Sequence, residues 1–73
     1  MEEITIHTEF IKLDQLLKFV NAVDGGGMAK NVILEGLVKV NGEVVLQRGK
    51  KIRNGDCVEF DNNKYTVISN AEI

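Results

Sequence analysis

Apolar and polar residues alternate at the start of the chain. Ile4, Thr5, Ile6 and His7 follow the period of two of a half-buried strand, so a strand is predicted over residues 4–7. The period then lengthens. Leu13, Leu16, Leu17 and Val20 fall at i, i+3, i+4 and i+7, which is one apolar stripe along a helix, and Lys12, Asp14, Gln15 and Lys18 lie off it. A helix is predicted over residues 13–22, stopping near Asp24-Gly25-Gly26-Gly27, because glycine is costly to hold helical. A second helix fits residues 27–35, with Ala29, Val32 and Ile33 on its inner face and Gly36 as a left-handed cap. Lys30 projects about 100° round from Ala29 at 3.6 residues per turn. Its stem can therefore lie on apolar surface while its charge reaches water.

From Leu37 onward the period returns to two. Val38 and Val40 alternate with Lys39, Asn41-Gly42 supplies a two-residue hairpin turn, and residues 43–47 form the returning arm. Arg48-Gly49-Lys50-Lys51-Ile52-Arg53 reads as a basic loop and Asn54-Gly55 as a second turn. Two further strands, residues 57–60 and 65–68, are joined through Asp61-Asn62-Asn63. The predicted fold class is α+β, with two short helices packed on a small, mainly antiparallel sheet whose edge is closed by the first strand. Leu13, Leu16, Leu17, Val20, Ala29, Val32 and Ile33 form the predicted helix–sheet core. With 73 residues, no proline, no repeat and no low-complexity linker, residues 1–73 are read as a single domain. A chain of this size buries only about 60% of its unfolded surface, so its stability margin is thin.

Composition removes several classes of function. Hydrophobic residues make up 44% of the chain, too many for a disordered tail. No apolar run approaches the ~20 residues that span a bilayer. The opening Met1-Glu2-Glu3 has no basic-then-apolar signal pattern, and the expected location is cytoplasmic, without a membrane partner. One cysteine, Cys57, and one histidine, His7, cannot build a disulfide framework or a structural zinc site. Cys57 reads as a small half-buried strand residue, His7 as a surface strand residue and Asp14 as a helix-start acid favoured by the dipole. Gly25-Gly26-Gly27 lacks the Lys-Ser/Thr of a phosphate-binding loop, and no Ser/His/Asp or Cys/His set is present in useful numbers. The chain ends Asn70-Ala71-Glu72-Ile73, without the Gly-Gly of sulfur carriers. The expectation is no catalysis, no cofactor and no small-molecule substrate.

Net charge is −2, but it is unevenly spread. Residues 1–9 carry three acids and no Lys or Arg. Residues 10–53 carry eight bases against four acids, and residues 54–73 carry four acids against Lys64. A basic middle between acidic ends suits a phosphate partner, because local potential guides binding.

The same central segment carries a resemblance. Leu13-Asp14, Leu17, Ala29-Lys30, Ile33, Gly36, Val38, Val40-Asn41-Gly42, Gly55-Asp56 and Val58 run in one order over roughly residues 10–60. This pattern resembles the S-four-type RNA-binding domain, also called the alpha-L motif. The Gly-Gly-Met-Ala-Lys stretch at residues 26–30 is similar to its short stand-alone bacterial form, the YaaA-type proteins. The resemblance implies that the two helices and the following β-turn face structured RNA, ribosomal or transfer, in a ribosome-associated or assembly role. Family members often place arginine before Leu-Asp and a Ser-Arg pair at the second helix. Lys12 stands at the first place, without the bidentate fork of arginine. Gly25 and Gly26 stand at the second, where backbone N–H groups at a helix start can approach a phosphate instead.

The candidate RNA-binding residues are Lys12, Lys30, Lys39, Arg48, Lys50, Lys51 and Arg53. Four of them fall within six residues of the basic loop, a self-repelling cluster that does little for folding, and Lys and Arg neutralise phosphates with little sequence preference. Lys18 reads as plain surface. Phe10, Phe19, Phe60 and Tyr65 read mostly as core, which favours recognition of RNA shape and backbone over splayed bases. The alternative is a protein-interaction scaffold that binds a ribosomal protein without touching RNA.

Overall fold

Backbone twist decides how the strands are joined. A computed structural model describes residues 1–70; residues 71–73, within the tail contrasted above with sulfur carriers, lie outside the described residues. Asn41 and Gly42 take φ of 52° and 85°, the two positive values that let a tight turn match the twist of its flanking strands. They join β3 (Lys39–Val40) to β4 (Glu43–Val44). Asp61 and Asn62, at φ 53° and 65°, do the same between β6 (Cys57–Phe60) and β7 (Asn63–Ser69). The connection predicted through Asn63 is thus one residue shorter, and Asn63 pairs with Phe60 in the ladder.

β1 (Glu2–Ile6) completes a five-stranded sheet in the order β1-β7-β6-β3-β4. It closes an edge, as predicted, and runs parallel to β7, with Glu2 opposite Tyr65 and Ile6 opposite Ser69. The other neighbours are antiparallel. Alternation turns Ile4, Ile6, Val40, Val58, Tyr65 and Val67 to the core. Of the arm predicted over residues 43–47, only β4 is strand; the Val45 N–H donates to the Val38 carbonyl at 3.1 Å just beyond it. Cys57 is half-buried in β6, and His7 is exposed just past the end of β1.

The helices cover the inner face. Leu13, Leu16 and Leu17 of α1 (Leu13–Phe19) and Ala29 and Ile33 of α2 (Gly26–Leu34) are fully withdrawn from water, and Val32 nearly so. Truncating such a leucine to alanine costs about 2–5 kcal/mol. Val20 lies past the end of α1 and is only half-buried. The first helix is three residues shorter than its stripe predicts, because Asn21 takes φ 58°. Its N–H donates to the Lys18 carbonyl and that of Ala22 to the Leu17 carbonyl, the paired bonds of a Schellman cap. α2 ends the same way at Gly36, φ 77°, through Gly36 N–H to Ile33 and Leu37 N–H to Val32. At its other end α2 begins one residue earlier than predicted, and Gly26 and Gly27 form its first turn.

One polar cross-link joins two distant turns. The Asn41 side-chain amide donates to Asp56 Oδ1 at 3.0 Å, and Asn41 Oδ1 accepts the Cys57 N–H at 3.0 Å. Asp56 Oδ2 accepts the Arg53 N–H at 2.8 Å, and the Asn41 N–H donates to the Cys57 carbonyl at 2.8 Å. Asn41 is therefore more than a turn residue. Asn41→Ala is expected to lose two side-chain hydrogen bonds, at about 1 kcal/mol each, and to strain a left-handed backbone position. Urea unfolding should show a loss of about 2 kcal/mol or more.

Tyr65 reports on the docking of β1. Burial pushes its phenol above the ordinary value of 10.0, and the charges of Glu2 and Asp61 push it further the same way. The folded state holds the proton beyond the pH at which the unfolded chain releases it. Its contribution to stability is complete below pH 10.0 and is lost as pH rises through the higher folded value. Tyr65 is the single tyrosine, so an ultraviolet titration of the folded protein is expected to give a midpoint above 10.0, returning to 10.0 in denaturant.

Candidate nucleic-acid interface

The basic segment is not a loop throughout. Lys51, Ile52 and Arg53 form a strand, β5 (Lys51–Arg53), which pairs antiparallel with β2 (Phe10–Lys12) as a separate two-stranded ribbon. Phe10 lies opposite Arg53, Ile11 opposite Ile52 and Lys12 opposite Lys51. Ile52 is fully buried and Ile11 packs against the core. Alternation then sends Phe10, Lys12, Lys51 and Arg53 to the opposite, solvent face.

The other half of the segment, residues 47–50, turns back onto α1. The Lys50 N–H donates to the Gln47 carbonyl at 3.2 Å. The Lys50 and Arg48 carbonyls accept the Leu13 and Asp14 N–H groups at 2.9 and 3.0 Å. Those two amides open α1, where helix geometry leaves donors without partners, and Lys12 at the cap makes no side-chain cap bond. The backbone of the basic turn serves as the cap, and Arg48 and Lys50 remain exposed. Asp14 sits in the first turn, as predicted, and its Oδ1 is withdrawn from water with no hydrogen-bond partner.

Five of the seven predicted cations thus fall on two adjoining pieces of chain: Lys12, Lys51 and Arg53 on the ribbon face and Arg48 and Lys50 on the turn leading into it. Lys39 lies on β3 opposite Glu59, so an acid is its cross-strand neighbour. Lys30 is exposed on α2. Neither belongs to the ribbon.

Sequence reasoning assigned the aromatics mostly to core, and this holds for only part of the set. Tyr65 is buried and Phe60 packs against the core, but Phe19 is 60% exposed. Phe10 is half-buried on the ribbon face, with the Lys51 ammonium 4.8 Å and the Arg53 guanidinium 5.6 Å from its ring centroid. These are cation–π distances. The available signal was local: Phe10 and Lys12 sit two apart around Ile11, as Lys51 and Arg53 sit around Ile52. Among the described residues no group of His, Cys, Asp and Glu could hold a metal ion, and no helix is long and apolar enough to cross a membrane.

A family model described as an S4 domain matches residues 4–68. The chain belongs to the S4 domain family. A relative in Bacillus subtilis (strain 168), called probable ribosome maturation protein RlbA, is 45% identical over 58 residues, or 80% of this chain and 82% of that protein. Among solved structures, the solution structure of YbcJ from E. coli, described as revealing an αL motif involved in RNA binding, is 32% identical with a TM-score of 0.71. The match covers 93% of this chain and 87% of YbcJ. The crystal structure of 30S ribosomal protein S4e from Thermoplasma acidophilum shares the fold at TM-score 0.67 and 22% identity, over 81% of this chain and 31% of that larger protein. The S4 domain match thus confirms the family that the motif order in residues 10–60 resembles, and the α+β fold with it.

Like charges face each other within this S4 domain. Lys12 and Lys51 are direct cross-strand partners, an arrangement that destabilises a sheet. Lys12→Glu replaces the repulsion with attraction and places an acid beside the start of α1. The variant is expected to raise stability by up to about 1 kcal/mol, with the gain shrinking at high salt. Thermal unfolding at two salt concentrations measures both effects.

Proposed function

We propose that this S4 domain is a non-catalytic RNA-binding protein that grips the backbone of structured RNA, ribosomal or transfer, as a ribosome-associated or assembly factor. The observation that carries the reading is the ribbon face, where Lys12, Lys51 and Arg53 project together beside Arg48 and Lys50. A strand pair that places lysine opposite lysine gives up stability, and an anionic partner returns it. Lys and Arg on such a face neutralise phosphates and release their counterions, which gives affinity with little sequence preference. In this reading residues 1–73 act as one cytoplasmic unit, with Lys30 and Lys39 as secondary contacts on neighbouring elements. The αL motif of YbcJ and the ribosome-maturation role given to the Bacillus relative support it.

A second reading rests on another face. Leu34, Leu37, Val44 and Leu46 are each more than half exposed. Val44 and Leu46 approach the position that a side chain on Gly36 would fill, and Leu34 and Leu37 flank Gly36 in the chain. An apolar cluster of this kind suits a protein contact, such as a ribosomal protein. Nuclease treatment of ribosomal fractions separates the two: it releases an RNA-bound protein and leaves a protein-bound one in place.

If about four phosphates are neutralised, affinity for a structured RNA is expected to fall roughly two decades between about 50 and 200 mM salt, taking the duplex-DNA slope as a guide. Lys50→Glu with Lys51→Glu is expected to abolish binding and leave the thermal midpoint within a few degrees, since Lys50 is exposed and Lys51→Glu trades its contact with the Phe10 ring for attraction to Lys12, two opposing effects of about 1 kcal/mol or less each. Fluorescence anisotropy and thermal unfolding measure the two. A flat salt response, or full affinity in the double variant, removes the basic segment as the contact surface.

A further inference from the structure

The cations of the ribbon explain a grip on phosphate, but they do not explain Phe10. This residue occupies the solvent face of a strand, opposite Arg53 and two positions from Lys12, with its backbone neighbour Ile11 directed at the core. The ring is half-buried there, and cations face it: the Lys51 ammonium lies 4.8 Å and the Arg53 guanidinium 5.6 Å from the centroid. Both groups are also cations of the proposed phosphate grip.

We propose that Phe10 is a stacking platform for one unpaired base of the RNA, with Lys51 and Arg53 holding the adjoining phosphates. This inference rests on the backbone-binding reading and refines it. In the free protein the two cations satisfy the negative face of the ring. A phosphate arriving at the ribbon draws them toward itself, since charge-assisted contacts to an anion are stronger than a contact with a ring quadrupole. The ring face so uncovered is matched by the π-face of a nucleobase, whatever its identity, which is why aromatic side chains beside a basic track recur in single-strand binding. A base inside a continuous A-form helix cannot reach the ring, because its faces are stacked on its neighbours. The ligand class is therefore a helical RNA carrying an unpaired nucleotide, at a bulge, a loop or a frayed end. Lys12, Lys50 and Arg48 take the flanking backbone.

The test compares two RNA hairpins that differ by a single bulged adenosine in the stem, titrated at one salt concentration and followed by fluorescence anisotropy. The parent protein is expected to bind the bulged hairpin about tenfold more tightly, within the range of base–aromatic stacking. Phe10→Leu keeps an apolar cover on the ribbon and removes the ring. It is expected to bind both hairpins alike, with affinity for the unbroken one within about twofold of the parent. Phe10→Trp is expected to keep the preference. The platform is overturned if the parent binds both hairpins equally, a result that needs no variant to fold, or if Phe10→Leu retains the preference. Equal, salt-sensitive binding by the parent would leave the backbone grip intact, whereas no binding to either RNA would overturn both proposals.

Discussion

Ile52 lies in the middle of the most highly charged stretch of the chain and is withdrawn completely from water. A strand that buries one side chain must turn its two neighbours the opposite way, so the direction of Lys51 and Arg53 follows from the burial of Ile52. The same holds across the ribbon, where Ile11 faces the core and Phe10 and Lys12 cannot. Leu13 continues from Lys12 directly into α1 and is itself fully buried. The ribbon is thus anchored at its centre and at one end by core packing. Its charged face owes its shape to apolar residues packed on its other side.

The backbone of the basic turn has a second duty. By capping α1 through the Lys50 and Arg48 carbonyls, residues 47–50 become part of the helix terminus. Their positive side chains sit where the helix dipole is also positive. Repulsion between like charges is therefore built into this end of the molecule, and it is tolerated because the hydrogen bonds and the burial of Leu13 hold the segments together. The backbone that sets this positive potential is held in place in the free protein by those hydrogen bonds.

Val40-Asn41-Gly42 and Gly55-Asp56, two stretches of the motif order, turn out to be one hydrogen-bonded unit through Asn41, Asp56 and Cys57. Their occurrence together in the sequence has a physical cause, since the Asn41 side chain finds both its partners in the second turn. The helices, the hairpin and the edge position of the first strand were legible because each is written in a periodicity or a turn dipeptide. The first helix was misjudged because Val20 extends its apolar stripe, while the left-handed conformation of Asn21 leaves almost no pattern. β2 and β5 escaped because a three-residue strand holds a single inward residue, and one apolar residue between charges is no periodicity. That same shortness hid which cations share a face and left Phe10 among the supposed core.

The parallel pairing of β1 with β7 ties residues 2–6 to residues 65–69, nearly the full span of the chain. Every other strand pair in the large sheet closes a much shorter loop. Closing a loop costs more entropy as it lengthens, so of the pairings in the large sheet this one carries the largest closure cost and the hairpins the smallest. β1 is also held along one side alone, whereas β6 is paired along both. Of these two strands, β1 is the one that can part from the sheet without breaking any other pairing.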